Sequence, residues 1–148
     1  LNLGQVKSAT RLGDDLLGIG FSAPDPGLNE RTGQIWISGD DGATWSQFSE
    51  VPSSDGATDL IGLVPTAEGL VVAGTVFDPQ EPDPERVAVW FSVDDSISWT
   101  EAPNVEDTFG DTGTRRARAY DIATIDDRVV VVGGLGGDAG AWVGDWTN

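Results

Sequence analysis

The sequence predicts an all-β protein of three repeated units, each with four short antiparallel strands and the third incomplete. Tryptophan marks the repeat, because Trp36, Trp90 and Trp142 lie 54 and 52 residues apart. Upstream of each tryptophan lies a turn, followed by an apolar run that is rich in β-branched residues and has a glycine at or near its end. These runs are GDDLLGIGF (13–21), AEGLVVAGT (67–75) and DDRVVVVGG (126–134). No window shows the 3.6-residue period of an amphipathic helix.

Each unit begins with a further strand-like segment that precedes the apolar run. These segments are VKSAT (6–10), LIGLV (60–64) and AYDIAT (119–124). The strand with the tryptophan, an Asp-rich turn and a short fourth strand follow. The predicted units span about 5–50, 58–102 and 118–148, and the third ends after its third strand, so we expect eleven strands.

Units of about 50 residues with four antiparallel strands match a β-propeller blade in size and content. Closed propellers typically have about four to eight blades, so three do not complete a ring. We therefore expect the chain to be part of a larger propeller, or copies of it to associate as a homo-oligomer that completes one. The exposed sheet faces of an open array need a cover in either case.

Composition excludes several classes of site. The chain has no Cys, His or Met, which removes disulfides, Cys/His zinc sites and catalytic triads with a histidine base. The net charge of −17 argues against nucleic acid and anionic membrane surfaces as partners. We expect no membrane insertion, no cofactor and no metal, and an extracellular or cell-surface location suits so acidic a chain.

The stretch SGDDGATW (38–45) carries the most specific motif. It resembles the Asp-box, or BNR repeat, Ser-x-Asp-x-Gly-x-Thr-Trp, found in sialidase-like and sortilin-like propellers. The matching residues are Ser38, Asp40, Gly42, Thr44 and Trp45. A weaker copy has Ser92, Asp94 and Trp99, with Ser96 and Ser98 in place of Gly and Thr. The third unit has Trp142 and then runs Gly144-Asp145-Trp146.

In proteins with this motif the turn joins the third and fourth strands of a blade and is structural. Asp40 is expected to accept backbone N–H groups, Gly42 to adopt a positive φ, and Trp45 to bury a large apolar surface. Ser96 is expected to distort the second turn. A calcium site at Asp40-Asp41 or Asp94-Asp95 is the alternative, but the EF-hand spacing is absent.

The blade order places ligand-binding loops on the face opposite the Asp-boxes. These loops span 21–33, 76–86 and 102–119. The candidate ligand-binding residues on or beside them are Arg31, Arg86, Arg115, Arg116, Arg118 and Tyr120. Clustered arginines suit carboxylate, sulfate or phosphate groups.

Each of these candidates also has a purely structural interpretation. Glu30-Arg31 and Glu85-Arg86 fit ion pairs at the start of a strand, which contribute little at a surface. The Arg115–Arg118 cluster could pair with Glu106, Asp107 and Asp111. Tyr120 fits a buried position on a first strand.

The sequence favours a non-catalytic binding or assembly module with a glycan or protein ligand. The alternative is a segment of a sialidase-like glycoside hydrolase. Sialidases use an arginine triad, a Tyr/Glu nucleophile pair and an Asp acid/base. Here Tyr120 is the one tyrosine, and the Arg-Ile-Pro motif of sialidases is missing.

Overall fold

A computed structural model of the 148-residue chain describes residues 3–23, 31–53, 56–77, 85–94, 98–103 and 116–145. These residues form eleven strands and no helix, which confirms the predicted all-β class and strand count. The strands are β1 (Leu3–Leu12), β2 (Asp15–Ala23), β3 (Thr32–Ser38), β4 (Ser46–Val51), β5 (Ala57–Thr66), β6 (Gly69–Phe77), β7 (Glu85–Ser92), β8 (Thr100–Glu101), β9 (Ala117–Ile125), β10 (Arg128–Leu135) and β11 (Asp138–Asp145).

The strands form three antiparallel sheets in sequence order: β1-β2-β3-β4, β5-β6-β7-β8 and β9-β10-β11. Every neighbour in a sheet is also the next strand in the chain, so each sheet is a meander of hairpins. These sheets are the three predicted blades, and in its described part the third has three strands. The first strand of each blade lies at one edge, where β5 packs on β1 and β9 packs on β5.

Two hydrophobic joints hold the blades together. The first joint includes Leu17, Ile19, Ile35, Leu60, Val72 and Trp90. The second includes Val71, Ala73, Val87, Ile122 and Val131. Burying one such aliphatic side chain contributes about 1.5–3 kcal/mol. The middle blade contributes to both joints. Because both faces of β6 and β7 are therefore buried, their sequences are nearly continuous apolar runs and do not alternate.

Each first strand carries a β-bulge opposite a glycine of the second strand. The extra residues are Lys7, Ile61 and Tyr120. The glycines are Gly20, Gly74 and Gly133, and a Cβ there would lie 1.8, 2.7 and 1.8 Å from the carbonyl oxygens of Gln5, Asp59 and Arg118. Because the backbones approach this closely, a side chain at these three positions is sterically excluded.

The turn at 38–45 is held by hydrogen bonds to Asp40, as the sequence predicts. Thr44 donates its backbone N–H to Oδ1 (2.8 Å) and its hydroxyl to Oδ2 (2.6 Å), and Ser38 Oγ donates to Oδ1 (2.7 Å). Gly42 has φ +88° and donates its N–H to Ser38 Oγ (2.9 Å). These bonds favour the ionised carboxylate and lower the pKa of Asp40 to about 2.

The second turn repeats this pattern around Asp94. Ser98 donates its N–H (2.9 Å) and its hydroxyl (2.6 Å) to the carboxylate, and Ser92 Oγ donates to Oδ1 (2.8 Å). Serine therefore replaces threonine without loss of the bonds, and the pKa of Asp94 is also lowered to about 2. The predicted distortion at Ser96 lies outside the described residues.

The predicted burial of Trp45 is wrong, since 42% of the residue is exposed. Its indole N–H donates to the carbonyl of Gly42 in its own turn (3.1 Å). The equivalent Trp99 packs against the first joint and donates to Ser49 Oγ of the preceding blade (2.9 Å). Trp99 thus helps to cover the preceding blade, whereas Trp45 lies against Gly18 of its own blade.

Acid is expected to loosen both Asp-rich turns. The pKa of each aspartate is lowered from 3.8 to about 2 in the folded state, so its contribution to stability is present above pH 3.8 and is lost as pH falls toward 2. The double variant Asp40→Asn/Asp94→Asn should be less stable at pH 7 and should show a flatter stability profile between pH 4 and 2. Urea unfolding across that range measures both effects. If the free energy of unfolding changed with pH by the same amount in variant and wild type, the assignment would be contradicted.

The Gly20→Ala substitution should lower the free energy of unfolding by about 1–3 kcal/mol or more, because its Cβ would collide with the Gln5 carbonyl. The matched control is Gly144→Ala on β11, where no atom lies within 4 Å of the added Cβ. Thermal and urea unfolding should show that Gly20→Ala is clearly less stable than Gly144→Ala. Similar stabilities would refute the close-approach argument.

Candidate functional site

The starting halves of the first strands, together with the residues at the start of β3 and β7, bring charged side chains together at one end of the molecule. We call Lys7, Arg31, Asp59, Glu85, Arg118 and Tyr120 the inner-strand site. β1 begins at this end because Leu3 pairs with Ala23, the last residue of β2. The Asp-rich turns follow β3 and β7 at the opposite end. The site therefore lies on the face on which the sequence predicts ligand binding.

Asp59 is the centre of the first half of the site. Its Oδ2 accepts from Lys7 Nζ at 2.5 Å and lies 3.6 Å from Arg31 Nη1. The side chain is 8% exposed, and its Oδ1 is buried without a hydrogen-bond partner among the described residues. A buried acceptor without a partner costs about 1–3 kcal/mol. Oδ1 itself has almost no surface open to solvent, so a ligand in the cleft does not reach it without a rearrangement.

Glu85 and Arg118 form the second half. The guanidinium of Arg118 bonds both carboxylate oxygens: Nη2 donates to Oε1 at 2.5 Å and Nε donates to Oε2. These hydrogen bonds lower the pKa of Glu85, against the opposing effect of burial, and the charges of Arg118 and Arg116 act in the same direction. Glu85 is therefore ionised at neutral pH, where it can accept hydrogen bonds but is not suited to serve as a general acid.

Tyr120 is 65% exposed, so the alternative of a buried first-strand tyrosine is wrong. Strand alternation explains this exposure, because Ala117 and Ala119 are buried while Arg118 and Tyr120 face the opposite side, and the bulge shifts the alternation only from Asp121 onward. The ring lies beside Gly134, where an added Cβ would sit 3.2 Å from the tyrosine hydroxyl oxygen. An exposed aromatic face with a polar tip thus borders the ion pairs.

Two adjoining clefts open at this end, and both are bordered by Arg118 and Tyr120. The first has a volume of about 300 Å³ and is lined by Lys7, Asp59, Ile61, Thr75, Phe77, Arg118, Ala119 and Tyr120. The second, of about 670 Å³, is lined by Glu85, Arg116, Arg118, Tyr120, Gly133, Gly134, Gly137, Asp138 and Ala139. Their joint size suits a small polar ligand or one end of a longer one.

Arg118 and Tyr120 border both clefts, and Arg116 lies in the wall of the second. Arg31 joins the site through Asp59 and does not line either cleft. Arg86 points elsewhere, since its Nη1 donates to Glu101 at 2.6 Å. The predicted ion pair at the start of the strand is wrong for Glu85-Arg86, because successive strand residues face opposite sides and each finds another partner.

Several other predicted residues fall outside the described residues. They are Glu30, Glu106, Asp107, Asp111 and Arg115. The pairing of the arginine cluster with the acids at 106–111 therefore stays a prediction. The observed partner of Arg118 is Glu85, in the preceding blade.

Sequence reasoning missed Lys7, Asp59 and Thr75. The signal for them was present in the repeat, because Lys7 occupies the bulge position of the first blade, as Tyr120 does in the third. Asp59 and Arg118 likewise occupy the same position, two residues before the bulge. What the repeat does not reveal is that these positions meet across the joints between blades.

The inner-strand site and its wall concentrate basic residues in an acidic chain. Lys7, Arg31, Arg116 and Arg118 are four of the eight basic residues of the sequence. Within the described ranges, no group of three or more acidic side chains is arranged to hold a metal ion. Nor do those ranges contain a helix long and apolar enough to span a membrane.

No protein-family profile matches the chain, and no curated protein matches it either. Among solved structures, the chain is similar to an α-L-arabinofuranosidase from Fusarium graminearum, solved as an E242A mutant with an iminosugar inhibitor. The identity is 21% and the TM-score 0.59, over 90% of this chain and 46% of that one. The likeness shows the fold, namely blades of a β-propeller, and the chain spans about half the length of that enzyme.

Replacing Arg118 by Met should raise the pKa of Glu85, because the largest cause of its lowered pKa is the hydrogen bonding from Arg118. Titration of the Glu85 side-chain carboxyl carbon by NMR measures the shift. Arg11→Met is the matched control, since Arg11 pairs with Asp41 in the first blade. An unchanged Glu85 titration in Arg118→Met would overturn the pairing.

Proposed function

We propose that this chain is a carbohydrate-binding segment of an extracellular β-propeller, and that the sugar binds at the inner-strand site. The observation that carries the proposal is the mixture of donors and acceptors around one cleft. Lys7 and Arg118 supply N–H donors, while Asp59 places a carboxylate acceptor in the wall of the first cleft. Sugar hydroxyls both donate and accept, so they can satisfy both kinds of group.

Tyr120 supports the same ligand class. Its exposed ring offers an apolar face, and its hydroxyl offers a polar tip, beside the charged groups. A sugar ring also presents a C–H face and a polar rim. The pairing of Arg118 with Glu85 holds the guanidinium in one orientation, which limits the entropy lost when the ligand binds.

The motif and the structural likeness are consistent with this proposal. The Asp40 and Asp94 turns have the hydrogen bonding expected of structural Asp-box turns, and they lie at the end away from the clefts. The structural neighbour is a carbohydrate-active enzyme with a propeller fold. We therefore favour a glycan over a protein as the ligand.

The second candidate is a segment of a glycoside hydrolase, favoured by the two buried carboxylates, Asp59 and Glu85, on the adjoining clefts. Glycosidases of the usual type need one carboxylate as a proton donor and another as base or nucleophile. The lowered pKa of Glu85 fits the second role and disfavours the first. Binding without turnover is the simpler function for the residues described here.

The binding proposal predicts that Tyr120→Ala weakens sugar affinity by about tenfold or more, through loss of roughly 1.5 kcal/mol of ring contact. Calorimetry with oligosaccharides of neutral sugars and of uronic acids measures it. Phe48→Ala is the matched control, because Phe48 is an exposed aromatic residue on β4, the outer strand of the first blade. Asp59→Asn should also weaken binding, because it removes the charged partner that positions Lys7 in the cleft. Equal affinity in wild type and Tyr120→Ala would reject the site.

Turnover separates the two candidates. Hydrolysis of aryl arabinofuranosides or sialosides by the wild type, lost in Glu85→Gln with sugar binding retained, would favour the hydrolase. Binding without hydrolysis across the panel is the result we expect.

A further inference from the structure

The first cleft receives the bulge residue of every blade. The extra residues of the three first strands are Lys7, Ile61 and Tyr120, and all three line this cleft of about 300 Å³. We call them the bulge residues. They come from the first, second and third blade in turn, and β5 packs on both β1 and β9. The cleft therefore lies where the three first strands meet.

The fold requires the glycine opposite each bulge but does not fix the bulge residue itself. An added Cβ at Gly20, Gly74 or Gly133 would overlap a carbonyl oxygen of the first strand, so a side chain is excluded there. The bulge residue, in contrast, is a lysine, an isoleucine or a tyrosine. One backbone geometry thus presents a cation, an aliphatic group and an aromatic ring to the same cleft.

Among the described residues, the charged groups at the first cleft leave one positive charge in excess. Lys7 and Arg118 line the cleft, and Arg31 lies beside its wall at Asp59. These three cations face two carboxylates, those of Asp59 and Glu85. In a chain with a net charge of −17, this excess makes the cleft a local site for an anionic group.

Two of the cations keep hydrogen-bond donors for a ligand. Arg118 uses Nε and Nη2 for Glu85, and its Nη1 has no hydrogen-bond partner among the described residues. The Arg118 side chain is 49% exposed. Lys7 donates one of its three N–H groups to Asp59. A ligand carboxylate can accept from both cations, and such charge-assisted bonds are about twice as strong as neutral ones.

The rest of the cleft suits a sugar ring. Ile61, Phe77 and Ala119 give it an apolar wall, and Tyr120 adds an exposed ring with a polar tip. The C–H face of a sugar can lie on such a wall while its polar rim contacts the charged groups.

We propose that the bulge residues determine the specificity of this cleft, and that they select a sugar that carries a carboxylate, namely a uronic acid. This inference rests on the proposed sugar binding at the inner-strand site. Lys7 binds the carboxylate together with Arg118, whereas Ile61 and Tyr120 contact the ring. Lys7 therefore decides between acidic and neutral sugars, and the other two bulge residues contribute to the binding of both.

Matched pairs of methyl glycosides test the inference: glucuronide against glucoside, and galacturonide against galactoside. The members of a pair share the ring and differ only in a carboxylate or a hydroxymethyl group. NMR titration of the wild type should give a dissociation constant at least about tenfold lower for the acid in one pair or both. Tyr120→Ala should weaken the binding of both members and leave their ratio unchanged.

Lys7→Met should lower the ratio of the two affinities at least about threefold, because it removes the charge and keeps the length of the side chain. Lys7→Arg should retain the preference for the acid. Arg11→Met is the matched control on the same strand, since Arg11 pairs with Asp41. A merely structural role of Lys7 would change both affinities by the same factor and leave their ratio unchanged.

Equal affinity for the acid and the neutral sugar of each pair would overturn this inference and leave the proposed sugar site standing. A preference for the acid that persists unchanged in Lys7→Met would also overturn it, because the carboxylate would then be recognised elsewhere. If the wild type bound neither member of any pair, both the sugar site and its specificity would be rejected.

Discussion

The close approach of a glycine to a carbonyl oxygen in each blade is the constraint on which the site depends. At Gly20, Gly74 and Gly133 the second strand comes so near the first that a Cβ would overlap the backbone. This approach accompanies a bulge in the first strand, which adds one residue and changes the direction of the side chains that follow. Tyr120 occupies the bulge of the third blade, and Lys7 occupies the same position in the first.

The joints between blades are the second requirement, because each ion pair of the site crosses one. Lys7 and Arg31 belong to the first blade and pair with Asp59 of the second, while Glu85 of the second pairs with Arg118 of the third. The backbone contributes too, since Thr58 N–H donates to the Arg31 carbonyl across the first joint (2.8 Å). Ala119 N–H donates to Thr75 Oγ1 across the second (3.2 Å). The apolar joints set these distances, and the polar groups then find partners within reach.

The residues that stabilise the turns and the residues proposed to bind a ligand lie at opposite ends of the strands. At one end, Asp40 and Asp94 are ionised carboxylates whose oxygens accept bonds from their own turns, so they are already engaged in the fold. At the other end, Asp59 keeps one oxygen without a partner and Tyr120 keeps an exposed ring. The Asp-rich turns are the most conspicuous acidic motif of the sequence, yet they are less available to a ligand than the inner-strand site.

The sequence alone determined the all-β class, the three units, the strand order and the chemistry of the turns. These follow from local rules: alternating apolar runs form strands, and the Ser-Asp-Gly-Thr spacing satisfies the backbone of one turn. The tertiary structure decided which residues meet. Lys7, Asp59 and Arg118 are distant in sequence, and they come together because the blades stack with their first strands side by side. The exposure of Trp45 was decided in the same way, since burial depends on a neighbouring blade and not on the residue itself.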